Sequence, residues 1–171
     1  MHTSDMNALT AWTVLASDAM DGAQREGVKL PERSVAALVL LRNRQGPTVD
    51  WLYRRLGITQ SGAVRLVDRL TALGLVRREK LPGRREVALH LTARGEAWLD
   101  RALRARARAM HSLLEPLSPA EQKRLAGLVG KVLAGGARRR EEADEACRLC
   151  DWDACKPTCP VDASVVGVNA P

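Results

Sequence analysis

Apolar residues recur at helical spacing through most of this chain, and the interruptions mark where it turns. Over residues 5–25, Met6, Leu9, Leu15 and Met20 can share one face of a helix. The stretch "GVKLPE" breaks that pattern, and "ERSVAALVLLRNR" resumes it as a strongly apolar helix stopped by Gly46 and Pro47. "TVDWLYRRLG" predicts a short helix capped by Thr48 and ended near Gly57. After the tight connector "GIT", "QSGAVRLVDRLTALG" predicts another, with Thr59 at its cap and Gly74 at its end. Val64, Val67, Leu70 and Leu73 keep helical spacing there, while Arg65, Asp68 and Arg69 fall elsewhere around the axis. Two short helices joined by a few residues form a helix-turn-helix.

From Leu75 the period changes. "LVRREKLPGRREVALHL" reads as two strands around a turn at Pro82 and Gly83. Val87, Leu89 and Leu91 alternate with Ala88 and His90, which predicts one buried face on the second strand. A helix-turn-helix followed by such a hairpin is a winged helix, so the predicted fold class is mainly α with a small β-hairpin wing.

A long helix is expected over residues 93–115, with Leu99, Leu103, Met110, Leu113 and Leu114, and with Arg101, Arg104, Arg106 and Arg108 crowding its exposed side. "SPAEQKRLAGLVGKVLAGG" follows. Ser118 stands at its cap, Pro119 at the first helical position and Glu121 where it closes a capping box, and Gly135 and Gly136 end the helix. The charged spacer "ARRREEADEA" is expected to continue as helix, whereas the tail "VDASVVGVNAP" carries no usable pattern.

Charge narrows the partners. The 27 Lys and Arg against 20 Asp and Glu give +7, an excess that favours a polyanion. The longest apolar run, Val35 to Leu41, has seven residues, far short of the ~20 needed to span a bilayer, so no membrane partner is expected. The N-terminal "MHTSDMNALTAW" lacks a basic region ahead of an apolar stretch, and a cytoplasmic location is expected. With no Phe and one Tyr, the composition suits duplex DNA better than stacking on single strands. His2, His90 and His111 are scattered, and no Ser-His-Asp arrangement, phosphate loop or paired-carboxylate motif stands out, so an enzyme is not expected.

"SGAVRLVDRLTALGLVRR" followed by "RREVALHLTARG" resembles the MarR family of bacterial transcriptional regulators. The resemblance runs over roughly residues 8–135, and its specific parts are the second helix of the helix-turn-helix and the "LT..G" after the wing. It implies a MarR-like intertwined homodimer in which residues 5–25, 93–115 and 118–134 make the body and two winged-helix lobes hang from it. A two-fold dimer presents its recognition helices about 34 Å apart to successive major grooves, so the expected partner is double-stranded DNA with a pseudo-palindromic operator. Repression is expected rather than activation. The family also leaves room for a small-molecule effector.

Residue types then suggest the contacts. Gln60, Ser61, Gly62 and Arg65 lie in the first turns of the recognition helix, where Arg65 suits guanine and Gln60 adenine. Arg69, one turn on, suits a phosphate. Arg84 and Arg85 follow the wing turn, where the resemblance implies an arginine in the minor groove. An Asp often precedes these arginines in the family, and here Pro82 and Gly83 stand instead. Singly, each of these residues is also compatible with a solvated surface.

All four cysteines fall in "CRLCDWDACKPTC", spaced Cys147-x2-Cys150-x4-Cys155-x3-Cys159 and followed by Pro160. Four thiolates in one short loop suit a single metal centre. An iron–sulfur cluster is preferred slightly over zinc, since the proline after the last cysteine is shared with ferredoxin runs and Trp152 is placed to shield a cluster. Zinc would make the segment a structural clip. A thiol switch without metal needs a neighbouring cation, and Arg148 and Lys156 are adjacent in sequence. A thiol–disulfide oxidoreductase is the alternative from another class, although its usual βαβ context is missing.

The expected organisation is an N-terminal dimerisation helix (1–30), a winged helix-turn-helix (31–95), C-terminal dimerisation helices (96–136) and a cysteine-rich metal-binding extension (137–171). The expected function is a dimeric DNA-binding regulator whose four-cysteine centre senses redox, gas or metal status. The alternative within the family responds to a small organic ligand and uses zinc only structurally.

Overall fold

In the computed structural model, residues 2–23, 30–44, 46–80, 83, 87–156 and 158–167 are described. Helices α1 (Thr3–Ala23), α2 (Glu32–Arg42), α3 (Val49–Leu56) and α4 (Gln60–Ala72) are followed by strands β1 (Val76–Lys80) and β2 (Val87–Leu91). Helices α5 (Ala93–Leu114), α6 (Pro119–Ala134), α7 (Arg140–Ala146) and the short α8 (Trp152–Cys155) come next, and a 3-10 turn at Asp162–Ser164 is the last element among the described residues.

The core lies where α2 is enclosed by its neighbours. Every residue from Ser34 to Leu41 is buried, which explains why that helix shows a continuous apolar run rather than a stripe. Leu52 and Leu56 of α3, Val67 and Leu70 of α4, Leu89 of β2 and Leu99 and Leu103 of α5 close around it. The strands pair antiparallel, Val76 opposite Leu91 and Lys80 opposite Val87. Only Gly83 of the predicted turn is described, with a φ of 70° that favours glycine.

Three expectations change. The buried stripe of α4 is Ala63, Val67 and Leu70, while Val64 is 40% exposed, because the helix packs one residue further round its axis. On β2, Ala88 is buried as fully as Leu89, since the loop at Gly46 covers the second face of the strand. The spacer after α6 does not continue as helix: the chain breaks at Arg138, which forms a parallel bridge with Val165, and restarts as α7. The tail that carried no pattern thus returns to the end of α6.

Thr92 shows why the wing and α5 are rigidly joined. Its hydroxyl donates to the Gly74 carbonyl at 2.6 Å and accepts from the Gly95 amide at 3.0 Å, capping α5. Gly95 is packed so closely that a Cβ there would collide with the Leu75 carbonyl oxygen. These two residues are the Thr and Gly of the "LT..G" stretch.

The outer helices leave apolar surface uncovered within one chain. Helix α1 has one buried residue, Ala16, and exposes Met6, Leu9, Val14 and Leu15. Helix α6 has none and exposes Leu128, Val129 and Val132. Among the described residues, no helix is long and apolar enough to cross a membrane.

Candidate nucleic-acid interface and cysteine cluster

The helix-turn-helix is shaped by its caps. The Trp51 amide donates to Thr48 Oγ1 at 3.2 Å to begin α3, and Gly57 ends it in the left-handed region at φ 58°. Ile58 and Thr59 suffice to turn the chain, and the Gly62 amide donates to Thr59 Oγ1 at 3.1 Å. A Cβ on Gly62 would also lie 3.1 Å from that oxygen, so Gly62 keeps the cap close.

Burial of Ala63, Val67 and Leu70 turns the opposite face of α4 outward. Gln60, Ser61, Arg65 and Arg69 are all exposed there. The guanidinium groups of Arg65 and Arg69 make no hydrogen bond or ion pair among the described residues. Two free guanidinium groups and an amide near a helix N-terminus form a donor-rich face able to meet phosphate and base edges. Arg84 and Arg85 lie outside the described residues.

Sequence reasoning missed Arg78. From β1 it reaches Asp68 of α4 at 2.8 Å, fixing the wing strand against the recognition helix. The only signal was a basic residue on a strand, which does not reveal a partner ten positions earlier.

The four cysteines, by contrast, are brought together. Cys147 caps the end of α7, and the Cys150 amide turns back to its carbonyl at 2.9 Å. Trp152 Nε1 donates to the same carbonyl at 2.9 Å. Cys155 and Cys159 follow through a turn in which the Thr158 amide meets the Cys155 carbonyl at 3.0 Å. All four line one cavity of about 200 Å³ with Asn43 just past α2, Asp144 of α7 and Asp162 of the tail. They are free thiols, and among the described residues no three His, Cys, Asp or Glu side chains are gathered as a ligand set for an ion.

Their chemistry is uneven. The Cys147 thiol donates to Cys150, and with Arg106 nearby this lowers Cys150 to about 6. Cys147 is pushed up by the same hydrogen bond and then by burial, and Cys155 is raised chiefly by burial. The cation beside the cysteines is therefore Arg106 of α5, three turns into a helix whose arginines were all assigned to solvent. Arg106 is half-buried because the extension folds over it, whereas Arg101 and Arg104 remain exposed. Arg148 is instead held by Glu32 at 3.0 Å, and Lys156 lies 4.0 Å from Asp153.

Residues 27–85 match the MarR family model. Over 108 residues the chain is 32% identical to the HTH-type transcriptional regulator PecS of Dickeya dadantii strain 3937, covering 61% of this chain and 65% of PecS. The winged helix of this chain is similar to that of the MarR family. Among solved structures, Rv1404 from Mycobacterium tuberculosis superposes with a TM-score of 0.67 at 24% identity, covering 79% of this chain and 95% of its own. The multiple antibiotic-resistance repressor MarR of Listeria monocytogenes gives 0.59 at 27% identity, covering 77% and 95%. The MarR fold thus extends beyond the matched 59-residue winged helix into the flanking helices.

Proposed function

We propose that this protein is a MarR-family regulator, a dimeric, sequence-specific DNA-binding transcriptional repressor of the cytoplasm, and that its four cysteines hold a centre that senses redox, gas or metal status. The outward face of α4, with exposed Arg65 and Arg69 that are unpaired among the described residues and with Gln60 at the helix start, carries the DNA reading. The apolar faces of α1 and α6 support the dimer, since a second copy would cover Leu9, Leu15, Leu128 and Val132. Wing arginines Arg84 and Arg85 follow the turn where the resemblance implies a minor-groove contact, with Pro82 and Gly83 in place of the Asp that often precedes them.

The centre itself would be held by Cys147, Cys150, Cys155 and Cys159. Their shared cavity of about 200 Å³ leaves room for a polynuclear iron–sulfur cluster, which is the preferred occupant. Zinc would instead require the thiols to close to about 2.3 Å around one ion. Four thiolates carry excess negative charge in either case, and Arg106 offsets part of it. Bound iron–sulfur would supply one-electron redox chemistry; zinc would supply only a fold constraint.

The test is an absorbance spectrum of protein purified without oxygen, with iron, sulfide and zinc assayed on the same sample, alongside binding to operator DNA. Visible charge-transfer bands with matching iron and sulfide, and a change in DNA affinity on oxidation, are expected. A colourless protein with one zinc per chain would sink the sensing reading and move the signal elsewhere. A second reading, a small organic effector, is favoured by a cavity of about 290 Å³ between α1 and α5, lined by Gly22, Ala105, Ala109 and Ser112.

A further inference from the structure

The cysteine segment touches two parts of the molecule with different duties. On one side it is tied to the end of α6, a helix of the proposed dimer body. The Arg138 amide donates to the Ser164 carbonyl at 2.9 Å, its guanidinium donates to Ser164 Oγ at 2.8 Å, and the Val166 amide returns to the Arg138 carbonyl at 3.0 Å. Arg140 adds an ion pair to Asp162 at 2.7 Å.

On the other side α7 rests against the helix-turn-helix. Asp144 accepts from Arg55 Nε of α3 at 2.7 Å, with 10% and 6% of the two side chains exposed, and Glu141 lies 3.6 Å from the same guanidinium. Arg148, next to Cys147, holds Glu32 at the start of α2. At the turn itself, a Cβ on Gly57 would lie 3.4 Å from Glu145 Oε1. Leu149 and Trp152 pack on the winged-helix core.

The cysteines occupy the middle of this strap. Ala143, Cys147 and Val161 are buried together, with Cys150, Cys159 and Leu133 of α6 packed against them. Asp144 on α7 and Cys147, the residue that caps its end through a hydrogen bond from its amide to the Ala143 carbonyl, are three residues apart and so lie on the same side of one short helix. A change at Cys147 that shifts α7 therefore shifts Asp144. Arg55 is too buried to exchange that carboxylate for water, so α3 must follow or lose its partner.

We infer that α7 transmits the state of the cysteine centre to the helix-turn-helix, through the Arg55–Asp144 pair and, at the rim, Arg148–Glu32. This rests on the reading that the four cysteines hold a centre. The occupied centre holds α7 against α3 and fixes the recognition helix relative to α6; the emptied centre releases it. The two states then differ in how the reading face is presented to DNA, which is what a population shift requires.

Amide hydrogen exchange on the full-length protein tests this, comparing the centre as purified with the centre removed by chelator, in wild type, Asp144→Asn and Glu32→Gln. Removal is expected to raise exchange several-fold in α7 and also in α3 of the wild type. In Asp144→Asn, α3 should exchange faster from the start and no longer respond. Glu32→Gln alters the half-buried rim pair with Arg148, and should reduce the response in part. If α7 loosens on removal while α3 is unchanged in wild type, or if both variants respond as wild type does, the coupling is overturned although the centre stands. Protein that binds neither iron nor zinc would overturn the centre, and the coupling with it.

Discussion

Arg55 and Asp144 stand 89 residues apart in sequence and meet at 2.7 Å with both side chains buried. The Arg55 guanidinium also lies 4.1 Å from the Trp51 ring centroid. One helix of the DNA-reading unit is thereby anchored to the extension. Removing one charge leaves the other buried and uncompensated, which typically costs about 3–5 kcal/mol. Asp144→Ala should fall at the low end, because Glu141 and Trp51 still attend Arg55. Replacing both together, Arg55→Met with Asp144→Leu, should recover most of that loss. Urea unfolding of the two variants beside the wild type checks this, and an Asp144→Ala variant as stable as wild type would show the pair to be dispensable.

DNA contacts should separate into two kinds. Arg65→Ala is expected to weaken operator binding by about 1–3 kcal/mol and to relax preference at one base pair. Arg69→Ala should weaken all sequences alike and lower the salt slope by about one. Fluorescence anisotropy across a salt series distinguishes them. An Arg65→Ala protein that keeps full sequence preference would show that this arginine reads no base.

Gly95→Ala should destabilise the protein severely, by more than the ~1–3 kcal/mol usual for overpacking, because the obstacle is backbone. The Leu75 carbonyl also accepts from the Thr92 amide at 3.0 Å and cannot withdraw without breaking that bond. The thermal midpoint measures it. Gly127→Ala, where nothing stands within 4 Å, is the control and should not destabilise.

The capping box of α6 predicts a pH dependence. Glu121 is lowered below the usual carboxylate range by hydrogen bonds from the Ser118 hydroxyl and amide. A lowered folded value means the carboxylate stabilises α6 above its unfolded pKa, about 4.3, and the contribution fades as pH falls through the folded value. Glu121→Gln should remove that dependence while leaving stability near pH 7 slightly reduced. Ser118→Ala should cost about 1 kcal/mol at neutral pH. Thermal melts between acid and neutral pH report both.

The parts of the fold that were legible are those with local causes. Thr48, Thr59 and Ser118 cap within three residues of themselves, and Gly83 adopts the positive φ that its own chemistry favours. The side chains Gln60, Ser61, Arg65 and Arg69 were legible too, because helix phase follows from Ala63, Val67 and Leu70. The illegible parts depend on distant partners. Nothing near Arg106 distinguishes it from Arg101 or Arg104; only the extension folding over α5 does. Likewise Asp144 reads as one acid in a charged spacer until Arg55 is seen opposite, and Val165 has no pattern because its partner is Arg138.

That last bridge has a further consequence. The extension leaves the chain at Arg138 and comes back to the same residue at Val165, with Arg138 clasping both the α6 end and Ser164. Its two ends meet, so the segment is a closed loop whose addition need not disturb the helices before it. Such a piece is a cassette. Grafted after the last helix of a relative, with an arginine at the graft point and a matching Arg–Asp pair on the first helix of its helix-turn-helix, it should fold there as it does here.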